Sequence, residues 1–468
     1  MKHSLLSLKS LFTAMALLLG SLSMLHAQSA NKPLSGSYTV GYDNADFSDI
    51  RSAIDSLMKN GVNGPVKMLV KNGTYNSLYF HDSIPGSSAK NTVTFRSATG
   101  QRDSVRIYDT YGTKLANTCH LRFEELTLDG IIVGVEMDSS VSDVEIRHCN
   151  IVTQINSNYL YKGVEYPGTA TNLARRMDNV RLIANSIRGG YYNIYLNNFG
   201  NNKDANDTGF TGVIIDSNTL CDATYYGLYA YQYGVIRSFS HNTVTNYHPD
   251  FKYYGVYCAT SKWIRMDGNR IHVNNNQLGY GIYFGSNYNN TSNRAASIVC
   301  NNEIILSDSS AKYGIYMANF NAPVEIVNNS ILLRSPTLSY GLYLANSNTS
   351  FRPVVYNNMV VNGKNDGYPI YISYAGYANS KYYDKDYNNY YSGGAYLADF
   401  GSALNSLQSI KNVDEASDQH STSIAPVWVN SKLSLEYKNT NFFSCPTLPN
   451  VTTDINGRPR MGNINVMG

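Results

Sequence analysis

The chain has no basic run. Its 37 Lys and Arg stand against 34 Asp and Glu, a net charge of +3 spread over 468 residues. A nucleic-acid partner would call for a concentrated positive stripe, so that class is excluded. Beyond the first residues no second long apolar stretch occurs, and no membrane span is expected in the mature protein. The six cysteines show no zinc-type spacing. In a secreted chain disulfides are permitted, and for Cys119, Cys149, Cys258 and Cys300 bridges and buried free thiols both stay open. His241, His248 and His272 are close in sequence but differ in their place within the pattern described below, so no metal site is expected. No cofactor is implied; calcium is the one ion left open.

Residues 1–27 carry Lys2 and Lys9, an apolar run from Leu11 to Leu19, and Ala27 before Gln28. This reads as a secretory signal peptide and implies a secreted or outer-surface protein. The run is too short for an anchor and is broken by Gly20 and several serines.

What fills the rest is a repeat. An apolar residue, an Asn three positions on and a second apolar residue two beyond recur with the Asn at 185, 218, 242, 269, 302, 329 and 358, spaced 24 to 33 residues apart. Each copy is followed by a block such as Tyr226-Gly-Leu-Tyr-Ala230 or Tyr280-Gly-Ile-Tyr-Phe284. That period belongs to a solenoid. Within each block apolar and polar residues alternate over about five residues, the period of a half-buried strand. Like blocks follow like at full repeat length, so the strands stack in parallel about 4.8 Å apart.

The stacking predicts chemically uniform files. Leu182, Ile215, Phe239, Met266, Val299, Ile326 and Val355 form one inward file; Ile187, Leu220, Val244, Ile271, Ile304, Ile331 and Val360 form another across a bend. Between them run Asn185, Asn218, Asn242, Asn269, Asn302, Asn329 and Asn358, whose amides can serve their own turn and the next rung. In the second block the neighbours of each Tyr are apolar, so Tyr195, Tyr229, Tyr257, Tyr283, Tyr316, Tyr343 and Tyr371 should form an external ladder. The Gly before that strand is expected to supply a bend conformation closed to most residues.

The ends break the period. Residues 46–58 place apolar side chains at helical spacing, with Asp46 or Ser48 as N-cap, followed by a strand at Val66–Val70 and Gly73-Thr-Tyr75. After Ile372 the repeat is expected to stop, and Asp386–Tyr391, Leu407–Ile410, His420-Ser421, Ala425–Val429 and Asp454–Arg460 make an irregular ending. The expected partition is a signal peptide at 1–27, an N-terminal cap at 28–75, coils at 76–375 and a C-terminal capping module at 376–468.

On this repeat grammar and these two end modules the chain resembles the right-handed parallel β-helix proteins of the pectin-lyase-like superfamily, and most of all the secreted β-helix repeat proteins of Bacteroidota. The resemblance implies an all-β solenoid of about ten coils capped at both ends. That family often continues into a sorting domain; here the chain stops at Gly468, so truncation and lack of that domain are both open. The fold by itself fixes no activity.

Function on such a scaffold sits in loops and outward files. The longest loops, Asn197–Thr208 and Gly285–Asn293, follow the same strand and with the Tyr ladder could wall a groove for a polysaccharide or cell-surface glycan. Outward tyrosines also stabilise a sheet by packing on one another, and rings stacked face to face hide the surface a sugar prefers. For catalysis the best candidates are Asp216 and Asp267, two rungs and so about 9 to 10 Å apart, near Arg237 and Arg265, the far limit for inverting hydrolysis. The adjacent-Asp, Gly-His-Gly and Arg-x-Lys signatures of polygalacturonases are absent. The sequence therefore points to a secreted or cell-surface protein with a structural or adhesive, glycan-binding and non-catalytic role, with a polysaccharide lyase or glycoside hydrolase as the alternative.

Overall fold

A computed structural model describes residues 32–468 except 169–175, 201–210, 247–249, 286–295, 308–309, 319–321, 347–348, 365, 374–377, 430–437, 439 and 461–464. The leader, most of the two long loops and His248 lie outside the described residues. The rest is an all-β parallel β-helix, in which 35 strands join one almost wholly parallel network.

Each regular coil contributes three strands, and each strand pairs with its counterpart one coil on. Met177–Ile183 pairs with Val213–Asp216, Ser186–Arg188 with Thr219–Cys221, and Tyr192–Asn197 with Tyr226–Tyr231. These three stacks are called here the first, second and third sheets. The inward file of the first sheet runs in register from Leu182 through Ile215, Phe239, Met266, Val299 and Ile326 to Val355. Every member is fully buried, as is every member of the file from Ile187 to Val360 in the second sheet. Burial of these apolar side chains, each stabilising by roughly 1.5–3 kcal/mol, is the main force closing the coil.

The corner between the first and second sheets is built by two residues. The Asn side chains form a continuous ladder: from Asn218 on each Oδ1 accepts the backbone N–H of the preceding Asn, as Asn302 does from Asn269 at 3.0 Å, and Asn185 accepts that of Cys149, while each Nδ2 donates to a carbonyl of the previous coil, as Asn269 does to Phe239 at 2.8 Å. The residue before each Asn is left-handed: Ala184 (φ 53°), Ser217 (60°), His241 (53°), Gly268 (64°), Asn301 (53°), Asn328 (55°) and Asn357 (61°). For Ala, Ser and His this conformation costs about 1 kcal/mol or more. Full satisfaction of the ladder holds it in place.

Two sequence expectations need correction at this level. The glycines before the third-sheet strands, Gly227, Gly255, Gly281, Gly314 and Gly341, are absent from the positive-φ residues, so they do not supply a forbidden bend. They supply room: a Cβ on Gly281 would lie 2.6 Å from the Gly314 carbonyl oxygen and 2.5 Å from Ile304 Cγ2. The period also does not stop at Ile372. Asp384–Asp386, Asn389–Ser392 and Ala398–Asp399 add one more coil in parallel register. Asn388 extends the ladder by accepting the Asn358 N–H at 3.0 Å, and Ser421 Oγ closes it by accepting the Asn388 N–H at 3.1 Å.

At that last coil the core changes character. Lys385 follows Val355 in the inward file and Tyr390 follows Val360. The Lys385 ammonium, fully buried, lies 2.7 Å from Asp418 Oδ2, and Asp418 Oδ1 accepts from Tyr390 and Ser421. At the other end the helix Ile50–Asn60 buries Ile50, Ala53, Ile54 and Leu57 beside the first strands. Its N-cap is Asp49 in a capping box, since Asp46 is held by Thr39. The terminal segment does more than cap: Phe443, Cys445 and Met467 pack on Ile305, Leu332, Met359 and Val361 of the second sheet, and Val451 packs on Cys300 and Val327 of the first. No described helix is long and apolar enough to cross a membrane.

Candidate functional site

The third sheet carries two tyrosine files, where one was expected. Tyr195, Tyr229, Tyr257, Tyr283, Tyr316, Tyr343 and Tyr371 stack rung on rung with centroids 4.7–5.2 Å apart and planes within 16° of parallel. Beside them Tyr192, Tyr226, Tyr254, Tyr280, Tyr313, Tyr340 and Tyr368 form a second stack, with centroids 4.5–6.1 Å apart. The two meet edge to face, Tyr280 and Tyr283 at 5.4 Å and 87°. Three residues apart on a plain strand, these rings would face opposite ways. The Gly between them drops out of the residue-by-residue pairing, so both emerge on one face. The repeated Tyr-Gly-x-Tyr spelling was the available signal, but strict alternation assigns the first Tyr no side.

Parallel stacking hides most ring faces and turns edges and hydroxyls outward. Burial, reinforced by neighbouring tyrosines, pushes phenols in both files up, among them Tyr257, Tyr340 and Tyr343 to about 12. Those hydroxyls are therefore protonated at any ordinary pH and can donate as well as accept. Because these pKa values are raised from 10 in the unfolded chain, the linked stability is fully present below pH 10 and is lost as pH rises through 12. An alkaline titration followed by phenolate absorbance should show a large tyrosine fraction ionising only near or above pH 12, together with unfolding. Ionisation of nearly all tyrosines near pH 10 with the fold intact would show the stack to be solvent-open.

Charge borders this face at its N-terminal margin. In register ahead of Tyr195 stand Glu165, Glu136 and Lys114, and ahead of Tyr192 stands Lys162. Lys114 bonds Glu136 at 2.9 Å and Lys162 bonds Glu165 at 2.6 Å. Burial raises the Glu165 carboxyl despite the lysine beside it.

Asp216 and Asp267 occupy one outward file of the first sheet with Ser240 between them. Each is already engaged. Asp216 Oδ1 lies 3.1 Å from His241 Nδ1 and accepts from Ser217, while Arg237 Nε donates to the Thr211 carbonyl. Asp267 Oδ2 is gripped by Arg265 at 2.7 and 2.8 Å, and its Oδ1 accepts from Asn301. The C-terminal segment lies over this second aspartate, with Arg265 donating to the Asn450 carbonyl at 3.2 Å and Asn301 to that of Thr453 at 2.9 Å.

A charge ladder that sequence reading passed over lies earlier on the same sheet. Arg122, Glu145 and Arg181 follow one another rung by rung. Arg181 Nε bonds Glu145 at 2.8 Å, and Asp143 is met by His120 at 2.7 Å, Arg122 at 2.8 Å and Asn179 at 2.9 Å. Burial works to raise the Asp143 carboxyl, but the bonds from His120 and Arg122 outweigh it and hold it below the usual range. Alternating signs cancel along the file, which suits sheet stability better than proton transfer. All six cysteines are free thiols; burial pushes Cys149 and Cys445 to about 12, which leaves them unreactive. Among the described residues no three His, Cys, Asp or Glu side chains are grouped to hold a metal ion.

No family model matches the chain, and no curated protein matches it either.

Proposed function

We propose that this is a secreted or cell-surface, non-catalytic β-helix of the right-handed pectin-lyase-like kind found in Bacteroidota, and that its tyrosine face docks a hydroxyl-rich polymer, a polysaccharide or surface glycan. The observation that carries this reading is the double file of stacked tyrosines, a broad, regular and half-buried surface of hydroxyls on one side of the solenoid. With the ring faces taken up by stacking, a sugar meets ring edges and phenol hydroxyls. Each rung offers the same pair of groups, so affinity grows with the number of rungs spanned.

A hydrolase or lyase needs carboxylates or bases converging in an open cleft. Asp216 and Asp267 are separately paired, and the second is overlaid, which favours binding over cleavage. The test is a panel of neutral and acidic polysaccharides, with and without calcium, in which native gels detect retardation and reducing-end assays detect cleavage. Retardation by at least one polymer without new ends is expected. New ends would overturn the proposal, and so would a panel on which the protein runs unretarded throughout.

A further inference from the structure

We propose that the two tyrosine files are a modification site, at which a one-electron oxidant joins tyrosines of successive coils by carbon–carbon bonds and so staples the solenoid. The site uses the same rings as the docking face but needs no ligand, so the two readings fail separately.

The geometry that carries it is translation. Tyr283 and Tyr316 stack at 4.7 Å with planes 4° from parallel, Tyr257 and Tyr283 at 4.9 Å and 3°, and Tyr254 and Tyr280 at 4.5 Å and 3°. Parallel register repeats the same side chain at the same place one coil on, so each ring is close to a translated copy of the last. The carbon beside one hydroxyl therefore faces the equivalent carbon of the next ring at about the centroid spacing. Modest swings of both side chains close that gap while the strands stay paired. Each ring inside a file has such a partner on either side, held there by the fold, which makes coupling within the file effectively unimolecular.

The chemistry balances without any group from outside except the oxidant. Each ring gives up one electron and its hydroxyl proton and becomes a phenoxyl radical. Two such radicals bond through the carbons ortho to oxygen, and the hydrogens on those carbons pass to the oxygens as both phenols re-form. With a haem peroxidase as oxidant, hydrogen peroxide takes up the two electrons and two protons and leaves as two waters. Edge-to-face contacts such as Tyr280 with Tyr283 at 5.4 Å connect the two files into one array. Electron exchange between like rings is close to energy-neutral, so radicals formed on separate coils can migrate until they are neighbours.

The experiment treats the full chain, at high dilution, with a haem peroxidase and limiting hydrogen peroxide. Dityrosine fluorescence, denaturing gels and mass mapping of linked peptides are the readouts. Tyr79, Tyr108 and Tyr159 serve as internal controls, because they are 51%, 39% and 65% exposed and lie outside both stacks. Links within the files, Tyr283 to Tyr316 and Tyr254 to Tyr280 among them, are expected at about tenfold or more the level of links from those three. The linked chain should run as a monomer and unfold at higher urea than the untreated chain, since a bond between coils constrains the unfolded state. Absence of dityrosine would overturn the site, and so would links formed chiefly between chains or from the exposed tyrosines. Links within the files that leave the urea midpoint unmoved would overturn the staple.

Discussion

Replacing Asn269 by Leu should destabilise the folded chain by roughly 2 to 6 kcal/mol, because two buried backbone groups lose their partners at about 1–3 kcal/mol each. Asn269 Oδ1 is the acceptor for the Asn242 N–H at 3.0 Å, and its Nδ2 satisfies the Phe239 carbonyl at 2.8 Å. The same side chain trades bonds with Asn242 and Asn302 at 3.0 and 2.8 Å, so the rungs on either side are loosened together. Leucine keeps the branched outline, is bulkier and can neither accept nor donate, and residue 269 has no exposed surface through which water could substitute. Urea unfolding of parent and variant measures the difference. A midpoint that does not move would mean that the ladder follows from the corner geometry and does not hold it.

The second large effect belongs to the other end of the core. Lys385→Met strands the Asp418 carboxylate in a fully buried site and should cost about 3–5 kcal/mol, the usual penalty for breaking an internal ion pair. Adding Asp418→Leu should return most of that loss, since well-packed apolar replacements of such pairs are often neutral or better. If the double variant is no more stable than the single one, the Tyr390 and Ser421 bonds to Asp418, and not the ion pair, close the solenoid. The pair also explains why the repeat was hard to follow here. Lys385 stands where the preceding coils have an apolar residue, and Tyr390 where the coils from Ile107 to Val360 have an aliphatic one, so pattern reading ended one coil early.

Regularity decided what could be read from the residues. Inward files and the Asn file repeat the same chemistry at every rung, so their members from Leu182 to Val355 and from Asn185 to Asn358 were identifiable without coordinates. The left-handed residue ahead of each Asn was not, because Ala184, Ser217 and His241 share no side-chain property; the backbone corner selects the conformation and the ladder sustains it. Gly281 and its counterparts were visible but misjudged, since a glycine needed for space and one needed for φ are spelled alike. The candidate site was half legible: the spacing exposed one tyrosine file, whereas the second depends on a local skip in pairing. The C-terminal segment's return over the first and second sheets carries no periodic signal at all, and it decides how accessible Asp267 is.

The claim that phenol hydroxyls on the third sheet do the binding is tested most directly by Tyr257→Phe, Tyr283→Phe and Tyr316→Phe combined in one protein. These rings stack at 4.9 and 4.7 Å, and phenylalanine keeps the stack while removing three hydroxyls. The account predicts a melting temperature close to that of the parent and a clear loss of retardation by whichever polysaccharide the parent binds. Unchanged retardation at unchanged stability would contradict it and leave the tyrosine face a purely structural feature of the sheet.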